Sequence, residues 1–168
     1  LQAGANVTIR AEDGASGATL RMQSEDYVSS GRSYGFSMAA GSTLRFAGEA
    51  LFADLSGNTA MTIGAADTTV VFADGVRAVV GNNSNGGAWN ANNQARSTFV
   101  VTNGAEVTVR GYLVTTGAGS RLILDDATIL EPFYNDGNNG VFLRGKNMGG
   151  LATLVIRGAN PILQSGRR

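Results

Sequence analysis

The sequence predicts an all-β protein, a right-handed parallel β-helix in which short strands wind into a solenoid with surface loop insertions. Three observations predict it: apolar residues alternate with polar ones in short runs, a glycine precedes almost every run, and the unit recurs along the chain. Alternation with a period of two is typical of strands. Recurrence of such units without helical periodicity between them favours a solenoid.

The repeated unit is a glycine, two small or polar residues and an apolar–x–apolar triplet. The triplets are Val7-Thr8-Ile9, Leu20-Arg21-Met22, Leu44-Arg45-Phe46, Met61-Thr62-Ile63, Val70-Val71-Phe72, Val107-Thr108-Val109, Leu122-Ile123-Leu124 and Leu154-Val155-Ile156. Because side chains alternate between the two faces of a strand, the outer members of each triplet should point inward and form buried columns. At roughly 20–25 residues per coil, the chain would make about seven coils.

The dipeptides Asp74-Gly75 and Asn103-Gly104 support an alternative fold. Both are strong signals for a two-residue hairpin, so an antiparallel β-sandwich remains the competing prediction. We favour the solenoid because the unit recurs in one form, and because the segments between runs lack the helical pattern of a wound α/β fold.

Three polar stretches interrupt the repeats, at 24–36, 81–96 and 131–140. The second is rich in asparagine and cannot bury much apolar surface, so we expect these stretches to be surface loops.

The chain has 168 residues, which is an ordinary size for one domain. We therefore expect residues 1–168 to form a single β-helix domain. Leu1 already lies within a repeat and the chain ends in Gly166, Arg167 and Arg168 without an evident cap, so we interpret the chain as a fragment of a longer exported protein.

Composition excludes several classes of function. Lys plus Arg and Asp plus Glu are 13 each, and the resulting zero net charge disfavours binding to nucleic acid. The chain has no His and no Cys, which removes the commonest metal ligands and general base, and we expect no metal and no cofactor. No apolar run approaches the roughly 18 residues of a membrane helix, so we expect no membrane insertion of this segment.

The Gly–small–x–apolar–x–apolar unit, with Asp-Gly and Asn-Gly corners, resembles the right-handed parallel β-helix of bacterial surface proteins. The closest likeness is to autotransporter passenger regions and related β-helical adhesins, and it extends over about residues 1–165. The resemblance implies a bacterial protein that is exported to the cell surface or the extracellular space. It also implies an adhesin, or a stalk that carries a separate effector.

We therefore expect a non-catalytic scaffold or adhesin module that binds a polysaccharide or a host-surface glycan through its loops. The candidate ligand-binding residues are Trp89, Asn90, Asn92, Asn93 and Tyr134. Aromatic rings stack on sugars while amides hydrogen-bond to their hydroxyl groups. The alternative for Trp89 is that its ring holds its own loop against the solenoid.

The alternative function is a carbohydrate-active β-helix enzyme, a polysaccharide lyase or a glycoside hydrolase. Its candidate catalytic residues are Asp125, Asp126 and Glu131, since glycosidases use paired carboxylates. Two facts oppose it. Neighbouring residues on a strand face opposite ways, so Asp125 and Asp126 should not converge. The His and the Lys-bearing motif that accompany the pair in pectin-degrading enzymes are absent.

Arginine side chains are predicted at outward strand positions, at Arg21, Arg45, Arg110 and Arg121. Such a row could bind acidic glycans, because guanidinium groups grip carboxylates. The zero net charge favours pairing with nearby Asp and Glu instead.

Three outward positions are apolar where other units carry Thr or Arg: Val71, Ile123 and Val155. If they cluster, the resulting patch predicts a covered or contacted surface. Two covers are open: the 131–140 loop with Phe133 and Tyr134, or another chain, which would make the protein a homo-oligomer. We favour the loop, because it follows the strand that bears Ile123.

Overall fold

A computed structural model describes residues 1–22, 36–55, 61–63, 65–81, 89–91, 95–110, 112–115, 117–131, 140–143 and 152–165. The strands in these ranges are β1 (Asn6–Arg10), β2 (Ala18–Arg21), β3 (Phe36–Met38), β4 (Thr43–Ala47), β5 (Leu51–Leu55), β6 (Met61–Ile63), β7 (Thr69–Ala73), β8 (Arg77–Val80), β9 (Trp89–Ala91), β10 (Thr98–Thr102), β11 (Glu106–Val109), β12 (Tyr112–Thr115), β13 (Arg121–Asp125), β14 (Thr128–Glu131), β15 (Gly140–Leu143), β16 (Thr153–Arg157) and β17 (Ile162–Ser165).

These strands form three sheets that the chain visits in turn. Sheet A has the order β1-β4-β7-β10-β13-β16, sheet B the order β2-β5-β8-β11-β14-β17, and sheet C the order β3-β6-β9-β12-β15. All pairings between described strands are parallel. The chain is therefore a parallel β-helix, as predicted, and the antiparallel sandwich is wrong.

Coil length varies more than the sequence pattern suggested. Equivalent positions in successive coils of sheet A are Asn6, Thr43, Thr69, Thr98, Arg121 and Thr153. The shortest of these coils takes 23 residues (98 to 121) and the longest 37 (6 to 43). The described strands make five coils and the first two strands of a sixth. The expectation of seven coils is wrong because it assumed roughly 20–25 residues per coil, and most coils are longer.

The interior is filled by columns of apolar side chains that repeat from coil to coil. Of the predicted core residues, eight are fully buried: Leu44, Phe46, Val70, Phe72, Val107, Val109, Leu122 and Leu124. Ile9, Leu20, Met22 and Leu154 are partly buried against this core, and the side chains of Met61 and Ile63 lie outside the described residues. Val7 and Ile156 are 38% and 49% exposed, so their predicted burial is wrong. Both belong to terminal coils, where no described coil covers the column from one side.

An aromatic ladder runs through the first coils of this interior. The rings of Phe46 and Phe72 stack at 5.1 Å with an interplanar angle of 11°, and Phe72 lies 5.5 Å from Phe99. Phe36 meets Phe46 edge-on at 5.7 Å. Each ring belongs to a different coil, and the ladder connects strands β4, β7 and β10 of sheet A with strand β3 of sheet C.

The Asp-Gly and Asn-Gly pairs form corners between sheets A and B. Asp74, Gly75, Asn103 and Gly104 all have positive φ, between 51° and 75°. Left-handed backbone suits any tight change of direction, whether the next strand returns antiparallel or turns onto a new sheet. The dipeptide therefore predicted a turn correctly but could not specify a hairpin.

A row of buried hydroxyl groups lines the opposite border of sheet A, just before strands β4, β7, β10 and β13. Ser42, Thr68, Ser97 and Ser120 are completely buried. The hydroxyls of Thr68 and Ser97 lie 3.0 Å apart and share a hydrogen bond, and the Ser42 hydroxyl donates to the carbonyl of Ala39 at 2.6 Å. These hydrogen bonds satisfy polar groups that would be costly to bury alone. This row of hydroxyl groups was not predicted from the sequence.

Candidate functional site

The three predicted loops, far apart in sequence, are anchored at one border of the solenoid. The stretches 22–35, 81–88 and 132–139 each leave the end of a sheet B strand and lead to a sheet C strand. In the fourth coil the same connection is only 110–111. By contrast, sheets A and B are joined by three-residue corners such as 74–76 and 103–105. The insertions of the first, third and fifth coils therefore share the B–C border.

Of the candidate sugar-binding residues, Tyr134 falls in one of these insertions, whereas Asn92 and Asn93 follow β9 on the connection from sheet C to sheet A. Trp89 and Asn90 are in strand β9, in register with Leu113 and Val114 of β12. The stretch 81–96 is therefore not a loop throughout, which corrects the sequence-based expectation. The side chains of Trp89 and Asn90 lie outside the described residues, as do Asn92, Asn93 and Tyr134.

Two of the three candidate catalytic carboxylates make structural contacts with the last coil. The Asp125 carboxylate accepts a hydrogen bond from Nε of Arg157 at 2.8 Å. Asp126, at a corner with φ of 52°, accepts backbone N–H groups of Ala159 at 2.7 Å and Asn160 at 2.9 Å. Each carboxylate thus has its own partner. The side chain of Glu131 lies outside the described residues.

Ion pairs connect one coil to the next. Arg45 pairs with Asp74 at 2.6 Å, Arg157 with Asp125 at 2.8 Å, and Arg21 with Asp54 at 3.3 Å. The expected local pairing is thus confirmed for Arg21 and Arg45. Within the described ranges, no carboxylate lies within ion-pair distance of Arg110 or Arg121.

The pair formed by Asp67 and Arg96 lies at the corner between sheets C and A. Arg96 donates from Nε to Oδ1 of Asp67 at 2.5 Å and from a terminal nitrogen to Oδ2 at 2.7 Å. Both residues have left-handed backbone, with φ of 61° and 56°. The equivalent residues in other coils include Gly41 and Gly119, which accept this conformation without a Cβ penalty. The bidentate contact thus accompanies an unfavourable backbone conformation.

These contacts set the acidity of two carboxyl groups. Hydrogen bonds from Arg96 hold the pKa of Asp67 below its usual value of 3.8. Hydrogen bonds from Arg45 and then Asn103 lower the pKa of Asp74 in the same way. A carboxylate held ionised by such donors is a poor general acid near neutral pH.

The Asp67–Arg96 pair should make stability depend on acidity. Because the pKa of Asp67 is lower in the folded chain, its contribution is complete above the usual value of 3.8 and is lost as pH falls through the folded pKa. We expect Asp67→Asn to unfold at lower urea than the wild type at pH 7, and the difference between the two midpoints to shrink as pH falls below 3.8. The substitution retains a residue type that tolerates left-handed backbone.

Arg96→Gln provides the matched control, since it removes the donors and leaves the carboxyl group. The double variant should be no less stable than the worse single variant. A difference between Asp67→Asn and wild type that persists unchanged at pH 2 would contradict the electrostatic explanation.

The outward apolar residues do cluster, on sheet A. Register pairs Val71 with Val100, Val100 with Ile123, and Ile123 with Val155. All four are half-buried. Val100 was not singled out from the sequence, because the triplet around it was not recognised. The 131–140 loop does not directly follow β13: strand β14 of sheet B intervenes, and the loop then leads to sheet C. The reason given for the loop as cover is therefore wrong.

No protein-family model, curated protein or solved structure matches this chain. In the described ranges, no three or more acidic, His or Cys side chains are grouped so as to hold a metal ion. The same part of the chain contains no helix long and apolar enough to span a membrane.

Proposed function

We propose that this protein is a non-catalytic β-helical scaffold of a bacterial cell surface, exported from the cell, and that it acts as an adhesin by binding glycans. The observation that carries the proposal is the anchoring of the aromatic and asparagine-rich insertions at the single B–C border. Coils stack about 4.8 Å apart, so the first, third and fifth coils place successive insertions about 10 Å apart. An extended polysaccharide could contact several of them at once.

The use of the acidic residues supports binding rather than catalysis. Asp125 and Asp126 each hold the sixth coil to the fifth through separate partners. Asp67 and Asp74 are engaged by Arg96 and Arg45 at two different corners. An inverting or retaining glycosidase instead needs two carboxyl groups facing one another across a substrate, about 5 to 9.5 Å apart. In the described part of the chain, the interior is filled by apolar columns and contains no second carboxylate pair.

The test is to measure binding and cleavage together on the same polysaccharides. We expect the protein to bind at least one acidic or neutral bacterial or host glycan by calorimetry, without releasing reducing ends or unsaturated uronides. Tyr134→Ala should weaken binding about tenfold, the worth of one aromatic contact. Thr108→Ala, on the outer face of sheet B, is the matched control and should bind like the wild type.

Two results would contradict the proposal. Absence of binding to every glycan tested would remove the adhesin function. Cleavage that Glu131→Gln abolishes while glycan binding persists would instead support the carbohydrate-active enzyme.

A further inference from the structure

The outer face of sheet A carries aliphatic side chains at positions where a solvated face would carry polar ones. Its central column contains Val71, Val100, Ile123 and Val155 on four adjacent strands. The neighbouring column contains Thr69, Thr98 and Thr153 at the equivalent outward positions. A continuous strip of branched aliphatic side chains in water is a typical contact surface.

The described chain leaves this face open. Corners of three residues, such as 48–50, 74–76 and 103–105, separate sheet A from sheet B. The insertions of the first, third and fifth coils are anchored at the B–C border, and the nine-residue connection 144–152 leads from sheet C to the edge strand β16 of sheet A. Among the described residues, no segment covers the aliphatic strip.

We propose that sheet A packs against sheet A of a second copy of this chain, giving a side-by-side dimer. This inference is independent of what the insertions bind. In a two-fold symmetric dimer each face meets its own equivalent, so the patch must complement itself. A two-fold axis parallel to the solenoid axis places the aliphatic column of one chain on the partner's aliphatic column, while strand directions oppose.

Charge complementarity supports this choice of occupant. Arg121 and Asp125 occupy the first and last outward positions of β13, on either side of Ile123. Opposed strands therefore bring Arg121 opposite the partner's Asp125, twice in the dimer, and this carboxylate also accepts a hydrogen bond from Arg157 of its own chain at 2.8 Å. Arg121 is exposed and has no carboxylate within ion-pair distance among the described residues. Arg45, which continues the aliphatic column, would face its equivalent, but its guanidinium is already paired with Asp74 at 2.6 Å.

The size of the face predicts a weak dimer. Sheet A has six strands of five residues each at most, which gives a footprint of roughly 500 Å² per partner. Stable complexes bury about 800 Å² per partner. We therefore expect a dissociation constant of roughly 10 µM to 1 mM.

Sedimentation velocity of the full chain, over concentrations that bracket this range, tests the inference. The wild type should shift from monomer to dimer, and Ile123→Asp should stay monomeric. Val79→Asp makes the same change at a half-buried outward position of sheet B and should still dimerise. Arg121→Glu should weaken the dimer about tenfold, whereas Arg110→Glu should not. If Ile123→Asp fails to fold, Ile123→Thr combined with Val100→Thr replaces it.

Several outcomes would overturn the inference. A wild type that is monomeric at all concentrations would overturn it, and so would a dimer that still forms in the Ile123→Asp variant. Association abolished by Val7→Asp or Ile156→Asp would place the contact at the ends of the solenoid. A monomer that dimerises only after deletion of 132–139 would show that the insertion covers the face. None of these results depends on glycan binding.

Discussion

Replacing Phe72 by alanine should lower the free energy of unfolding by about 3–5 kcal/mol. The Phe72 ring is completely buried and lies between Phe46 and Phe99 in the aromatic ladder. Its removal therefore deletes contacts in its own coil and in the coils on both sides. Since domains of this size are stable by only about 5–15 kcal/mol, the loss should be visible as a large shift in the urea midpoint.

Phe52→Ala is the matched control for this variant. It removes the same atoms, but Phe52 is a half-buried residue at an outward position of sheet B, in register with Arg77. We expect a loss of about 1 kcal/mol, because little cavity can form on an open face. Equal losses in the two variants would contradict the assignment of inward and outward faces.

Replacing Ser97 by alanine should cost about 1–3 kcal/mol, more than the loss of one hydroxyl on the surface. The hydroxyl of Ser97 shares its hydrogen bond with Thr68 of the preceding coil, and both residues are completely buried. The substitution leaves the Thr68 hydroxyl buried without this partner. The measurement is chemical denaturation monitored by circular dichroism.

The double variant Thr68→Val with Ser97→Ala distinguishes this explanation from a simple packing defect. Removing both hydroxyls leaves neither one unsatisfied, so stability should return toward the wild type. Losses that add in the double variant would show that the hydrogen bond between coils is not the cause.

Much of the fold could be predicted because each strand satisfies a local rule. In β13, Leu122 and Leu124 alternate with outward residues, and the structure buries both. In the corner of Asn103 and Gly104, residue type predicts left-handed backbone, which the structure contains. The same corner could not be told from a hairpin, since the choice depends on where the next strand pairs, and that partner is a coil away in sequence.

The candidate site could be predicted less well, for a related reason. Asn-rich composition identified an insertion at 81–96 but not the strand Trp89–Ala91 within it, since three residues give too short an alternation to recognise. Asp125 and Asp126 were candidate catalytic residues because they are neighbouring carboxylates in the sequence. Their partners, Arg157 and the backbone at Ala159, come from the next coil and could not be identified before the register was known.

Three features of this protein could be predicted from the sequence: the class of fold, the inward residues of the central coils and the turns at the corners. They depend on alternation along each strand and on local backbone preference. Tertiary structure alone decided the number of coils, the exposure of Val7 and Ile156, the common border of the three insertions and the alignment of Val71 through Val155. These features depend on which strands pair with each other. Because the connections vary in length, paired strands of sheet A lie 23 to 37 residues apart in sequence. Strands so far apart in sequence become neighbours only when the chain winds into coils, so their pairing cannot be predicted from any single repeat.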